Sequence, residues 1–203
     1  MAESKPLPVF ITGASRGIGA ATAREFALRG HAIALAARSE GAIERLAQEI
    51  RANGGQAVAI RCDVGDPLAV ERAIAATVAQ LGGLGIVINN AGVLEPLARI
   101  ADADMRQWAR AMEVNLNGPL YVMHYAAPHL PKGGVVINIT SGAGERALTG
   151  RSAYCASKAG LMIASRVFAV EEAETRGIRV IAFSPGYVDT EMNALNRRHR
   201  MGN

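Results

Sequence analysis

Val9-Phe10-Ile11-Thr12-Gly13-Ala14-Ser15-Arg16-Gly17-Ile18-Gly19-Ala20 joins a run of strand character to a glycine-rich turn and then to a stretch of helical periodicity that continues to position 29. The order matters more than the glycines alone. Glycine allows a tight turn and a close backbone approach to a ligand. The free N–H groups and positive dipole end of a starting helix then favour an anion such as a pyrophosphate. The spacing here is G-x-x-x-G-x-G, not the more general G-x-G-x-x-G. Such a turn also serves simply to join a strand to a helix, binding nothing.

Outward from this turn, short β-rich runs alternate with longer amphipathic ones. Strands are predicted near 9–12, 32–37, 56–61, 85–89, 134–140 and 179–184, and helices near 17–29, 40–53, 67–81, 102–127 and 152–176. The strands are almost continuously apolar, which is the mark of a sheet covered by helices on both faces. The pattern predicts an α/β fold: a doubly wound Rossmann-type parallel sheet of about six strands, in one domain spanning 1–203. Gly30 and Gly177 read as helix stops, Asp66-Pro67 and the Asp102/Asp104 pair as N-terminal caps, and Pro119 and Pro128 as a bend and an end of the fourth helix. In such sheets ligands bind at the carboxyl ends of the strands, where strand order reverses.

Composition narrows the function. Half of the 203 residues are hydrophobic and 20% are charged, as in an ordinary globular protein. No apolar run is long enough for a membrane span, and residues 1–8 carry no secretory signal, so a cytoplasmic protein is expected. Cys62 and Cys155 lie far apart and outside any metal-ligand spacing; free thiols in a reducing compartment and no metal site are predicted. The net charge of +4 falls to +1 without Arg197, Arg198 and Arg200, and no basic stripe is interleaved with aromatics, which argues against nucleic acid as a partner. His124, His129, Met123 and Met162 read as core or interface residues.

The second strand ends Ala36-Ala37-Arg38-Ser39, where an acidic side chain would meet a ribose 2′-hydroxyl. None is present. Arg38, with Arg16, instead suits a 2′-phosphate through charge-assisted hydrogen bonds, which points to NADP(H); either arginine can equally be a solvated surface residue. Asp63 and Asn89-Asn90-Ala91-Gly92 fall on the same sheet edge and either line the adenosine half of the site or act as caps and turn formers.

Tyr154 and Lys158 stand four residues apart in a helical stretch and so share a face. A nearby ammonium is expected to lower the phenol's pKa toward the working range, letting Tyr154 exchange a proton with a carbonyl oxygen. Ser141 ends the fifth strand at the same edge, where its hydroxyl can donate to a developing oxyanion. Asn115, between Val114 and Leu116, is either a satisfied core amide or part of a water-linked proton path behind Lys158.

Together these residues resemble the short-chain dehydrogenase/reductase family across nearly the whole chain. The resemblance rests on Thr12 to Gly19, Asp63-Val64, Asn89-Asn90-Ala91-Gly92, Asn115, Ser141, Tyr154-Cys155-Ala156-Ser157-Lys158 and Pro185-Gly186, in order and spacing. It implies Tyr154 as acid/base, Lys158 on the nicotinamide ribose, Ser141 on the substrate oxygen and Asn115 in a proton relay. It further implies cofactor contacts from Gly13, Ser15, Arg16, Gly17, Ile18, Gly19, Arg38, Asp63, Val64, Asn90, Ala91, Gly92, Pro185, Gly186, Val188 and Thr190. The segments 141–146 and 183–192 are similar to the branch around sepiapterin and benzil reductases, and substrate loops are expected at 93–99, 143–150 and 187–196.

The expected activity is reduction of a ketone or diketone with NADPH. An NAD-dependent alcohol dehydrogenase and a catalytically weak nucleotide-binding sensor or scaffold stand as alternatives. The family resemblance also implies a homodimer or homotetramer. Two departures are expected: the family's seventh strand has no counterpart, leaving the sixth with an edge for the tail or a partner subunit to cover unless the chain is a shortened form, and Gly85 occupies a position where the family often has an acidic residue.

Overall fold

The computed structural model describes residues 6–194. The arginines 197, 198 and 200 and the end of the 187–196 loop lie outside the described residues. Six strands form one parallel sheet in the order β3-β2-β1-β4-β5-β6: β1 (Val9–Thr12), β2 (Ile33–Ala37), β3 (Ala57–Arg61), β4 (Ile86–Asn89), β5 (Val135–Ile139) and β6 (Arg179–Phe183). The order reverses between β1 and β4, which pair in register Val9 with Ile86 through Ile11 with Ile88. A cleft therefore opens above the carboxyl ends of these two strands.

Both faces of the central strands are buried, which is why their sequences lack polar alternation. On one face Val9, Ile11, Ile33, Leu35 and Ile88 pack with Ala20 and Ala23 of α1 (Gly17–Leu28) and with Ile43, Leu46 and Ile50 of α2 (Glu40–Ala52). On the other, Phe10, Ala34, Ala36, Val87 and Val136 meet Val70 and Ile74 of α3 (Pro67–Leu81). The predicted boundaries hold to within a residue or so. Asp66 accepts from the Leu68 N–H at the start of α3, with Pro67 at the first helical position.

The predicted fourth helix is corrected. Instead of one helix over 102–127, the chain forms a short turn at Ile100–Asp102, α4 (Met105–Met112), a π-helical segment Glu113–Asn117 and α5 (Gly118–Ala126). Asp104 caps α4 by accepting from the Arg106 N–H, while Asp102 lies in the preceding turn. Pro119 supplies the physical reason for the break: it has no N–H for the carbonyl of Asn115 four residues earlier, and its ring crowds that turn.

β6 takes the edge position expected of it, but its side chains are far more exposed than those of the inner strands. It is the sheet's edge among the described residues, with α6 (Ser152–Thr175) packed on it, and Ile181 and Phe183 remain 47% and 50% exposed. Gly85 has a local explanation, because a Cβ there would stand 2.5 Å from the Cβ of Leu7.

One polar chain crosses the apolar interior. Asn89 Nδ2 donates to Asn138 Oδ1 at 2.8 Å, and Asn138 Nδ2 donates to Ser165 Oγ at 2.8 Å. All three residues are buried. Asn138→Ala would strand the Asn89 amide and remove the donor to Ser165, so stability should fall by about 2 kcal/mol or more. Urea denaturation should show this as a lower midpoint at unchanged slope, and a midpoint equal to the wild type's would refute the assignment.

Candidate active site

The glycine turn is shaped by what lies beneath it. Gly13 and Gly17 have φ of 64° and 55°, values that disfavour a side chain. A Cβ on Gly19 would stand 2.4 Å from the Gly13 carbonyl oxygen and 2.5 Å from Asn90 Nδ2. The Asn90 amide donates to the carbonyls of Thr12 and Gly13 at 2.9 and 3.1 Å. Thr12 Oγ1 accepts from the N–H groups of Asn90 and Ala91 at 3.0 and 3.1 Å. The turn is thus stitched to the end of β4 across the switch point. Thr12 has no functional role assigned from sequence, although its place between strand and first glycine is the available signal.

The first turn of α1 has neither a side-chain cap nor an acidic residue, so its N–H groups remain available to an anion. They face a cavity of about 960 Å³ lined by Gly13, Ser15, Arg16, Gly17 and Ile18 at one end and by Ser141, Tyr154 and Lys158 at the other. That volume lies within the range of small-molecule sites. Arg38, Asp63, Val64, Asn90, Ala91, Gly92, Pro185, Gly186, Val188 and Thr190 line the same space. Of the sequence-predicted residues, Gly19 and Asn115 lie behind the wall. The glycine cradle and the uncapped amides fit a dinucleotide.

Two of the charged groups at the glycine-turn end are held in ion pairs, and among the described residues a third is not. Arg38 is exposed at the end of β2. Arg16 is turned instead to an ion pair with Glu191, which brings the segment after β6 over the glycine turn. Asp63 receives Arg110 of α4 at 2.6 Å and the Gly65 N–H at 3.0 Å. Burial pushes its carboxyl up, but these hydrogen bonds and the charges of Arg110 and Arg38 outweigh that and hold it below the usual carboxylate range. Arg110 has no motif around it, and only the fold shows that α4 passes close to β3.

At the other end, the Tyr154 and Ser141 side chains line the same cavity wall. Burial raises the phenol above its ordinary value, and the Ser141 contact opposes this. The expected depression by Lys158 is not what the site shows. The Lys158 ammonium donates to the Ile139 carbonyl at 2.7 Å and lies 5.8 Å from the Tyr154 ring centroid. Burial pulls its own pKa down to about 8.

With its side chain, Asn115 meets the first of the two alternatives left open for it. Its side chain is fully engaged: Nδ2 donates to Val93 O at 2.8 Å and to Ser157 Oγ at 3.2 Å, while Oδ1 accepts from Val93 N at 2.8 Å. The amide is therefore a structural clamp on the start of the 93–99 loop. Asn193, which no sequence motif singles out, anchors the segment after β6 by donating from Nδ2 to the Val188 carbonyl at 2.5 Å. Among the described residues no group of three or more His, Cys, Asp or Glu is placed to hold a metal, and no helix is long and apolar enough to cross a membrane.

Comparison with known proteins agrees with this geometry. A family model described as short chain dehydrogenase matches residues 8–201. The cis-4-hydroxycyclohexanecarboxylate dehydrogenase of Sinomonas cyclohexanicum is 37% identical over 186 residues, covering 91% of this chain and 74% of that protein. A dehydrogenase/reductase from Sinorhizobium meliloti 1021 superposes with a TM-score of 0.88 at 38% identity, covering 97% of this chain and 82% of the other. A metagenomic blue fluorescent protein crystallised with NADPH superposes with a TM-score of 0.86 at 35% identity, covering 92% and 76%.

The buried ammonium leaves a signature in stability. The native state releases the Lys158 proton near pH 8, whereas an unshifted lysine holds it to 10.5. The native state thus binds fewer protons between these values, and stability from this group rises with pH across that window. Wild type should gain roughly 2 kcal/mol relative to Lys158→Met between pH 8 and 10. Denaturation at the two pH values measures it, and a constant difference would contradict the burial assigned to the ammonium.

Proposed function

The chain belongs to the short-chain dehydrogenase family, and from that premise we propose that it is an NADP(H)-dependent oxidoreductase reducing a ketone or diketone to an alcohol. The observation that carries this reading is the convergence of Ser141, Tyr154 and Lys158 on one end of a cavity that continues to the glycine turn. NADPH, when bound, supplies the hydride.

The chain's own residues do the rest. Gly13, Ser15, Arg16, Gly17, Ile18 and Gly19 form the pyrophosphate end, with Arg38 for the 2′-phosphate, Asp63 and Val64 for the adenine, and Asn90, Ala91 and Gly92 beneath the adenosine. Pro185, Gly186, Val188 and Thr190 close over the nicotinamide. Ser141 donates to the substrate oxygen while the carbonyl carbon is reduced, and Tyr154 Oη delivers a proton to that oxygen. A phenol whose pKa is raised by burial stays protonated at neutral pH, as a proton donor must. Lys158 meets the ribose, and the Asn115 carbonyl holds water behind it for reprotonation. Support for NADP(H) comes from Arg38 in place of an acid at the end of β2, and from the similar protein crystallised with NADPH.

The name of the Sinomonas relative favours a second reading, in which the same residues run in reverse on a secondary alcohol and Tyr154 accepts the proton. The two free cysteines suit a reducing, cytoplasmic setting. The exposed Ile163, Val167 and Val170 on α6 suit association of subunits as a homodimer or homotetramer.

Tyr154→Phe should lower NADPH consumption across a panel of ketones and diketones by about 10²–10⁴-fold while NADPH still raises the melting temperature; undiminished turnover would refute the mechanism. Arg38→Ala should weaken NADPH binding by about 10-fold or more and leave NADH binding nearly unchanged, as the loss of a charge-assisted contact requires. Titration of both nucleotides measures this, and equal losses for the two would remove the role given to Arg38.

A further inference from the structure

The charges lining the cavity do not cancel. Its arginines and lysine are Arg16, Arg38, Arg146, Arg151 and Lys158, set against two carboxylates, Asp63 and Glu191. Both carboxylates are taken, Glu191 by Arg16 and Asp63 by Arg110. Arg38 and Lys158 belong to the nucleotide in the reading above. Arg151 is buried and donates to the Thr149 carbonyl, so Arg146 remains, on the loop after β5, and among the described residues it forms no ion pair.

The Arg146 side chain is folded back toward the reacting end. Its Nε lies 3.5 Å from the Gly142 carbonyl, and a Cβ on Gly142 would stand 3.0 Å from its Nη2. Gly142 directly follows Ser141. The guanidinium thus lies against the residue next to Ser141, and both Arg146 and Ser141 line the same cavity. The loop that presents it is held at both ends. Ser141 Oγ accepts from the Ala143 N–H, and the buried Arg151 bridges to Ala98 of the 93–99 loop and donates to the Thr149 carbonyl. Leu94, Leu148 and Met192 give the same cavity apolar surface.

We propose that the substrate of this site carries a carboxylate a few carbon atoms from the reacting carbon, and that Arg146 takes it; this rests on the oxidoreductase reading. A guanidinium offers a planar fork of donors that matches a carboxylate in two parallel hydrogen bonds. The apolar side chains then cover the carbon spacer. Once substrate fills the cavity and excludes water, the pair is stronger than an exposed one. Arg146 is thus a specificity-determining residue, and the substrate class is a short oxo acid and its hydroxy acid.

The test uses the full chain with NADPH and matched pairs of linear and cyclic oxo acids and their methyl esters. Wild type should favour the acids at least tenfold in kcat/KM, mostly through KM, with Arg146→Gln bringing the ratio near one and Arg146→Lys retaining part of it. Equal use of acid and ester by wild type, or an unchanged ratio in Arg146→Gln, overturns the proposal and leaves the reductase reading standing. Calorimetry of the same acids on the protein–NADPH complex reads the anion site without turnover. Binding weakened tenfold or more in Arg146→Gln supports that site even if no pair consumes NADPH, an outcome that would count against the reductase reading alone. Wild-type binding that is undetectable, or equal in the variant, sinks the proposal.

Discussion

The contact on which the site depends is the approach of the glycine turn to the Asn90 amide. Parallel strands β1 and β4 bring the two segments together, and the missing side chain at Gly19 lets the turn close onto Asn90 and the Gly13 carbonyl. Thr12 and Asn90 then exchange hydrogen bonds across the gap. With those polar groups satisfied, the amides at the start of α1 are aimed into open space. The sheet's reversal makes the cleft, and this packing gives it a floor.

Desolvation governs the opposite end. Tyr154 and Lys158 are both driven toward their neutral forms by burial, the phenol upward and the ammonium to about 8. Two groups that share a helix face are therefore tuned by the protein interior more than by each other. The Ile139 carbonyl holds the ammonium at the end of β5, and Ser141, two residues on, lines the same cavity wall as the phenol. A strand end and a helix face thus converge on one point, which neither element specifies alone.

Much of this is legible in the residues. The strand runs at 9–12 and 32–37 and the glycine turn between strand and helix predict a parallel sheet and a ligand end, because apolar periodicity and glycine's conformational freedom are local properties. The Tyr154/Lys158 spacing places both groups on one face for the same reason. The break at Glu113–Asn117 is not legible in this way, since Pro119 marks a bend but cannot reveal a π-helical segment whose Asn115 side chain answers to Val93 and Ser157. Arg110 escapes a reading of the sequence because its partner, Asp63, is distant along the chain.

By itself, then, the sequence determined the alternation of strands and helices, the place of the glycine turn and the shared face of phenol and ammonium. All of these follow from the chain's local period and from which residues tolerate which backbone. Only the tertiary structure decided which charges are neutralised and which are left over: Arg16 goes to Glu191, Asp63 to Arg110, and Arg146 to no carboxylate among the described residues. Pairing and desolvation depend on distances between segments far apart in the chain, and those distances exist only once the sheet has formed.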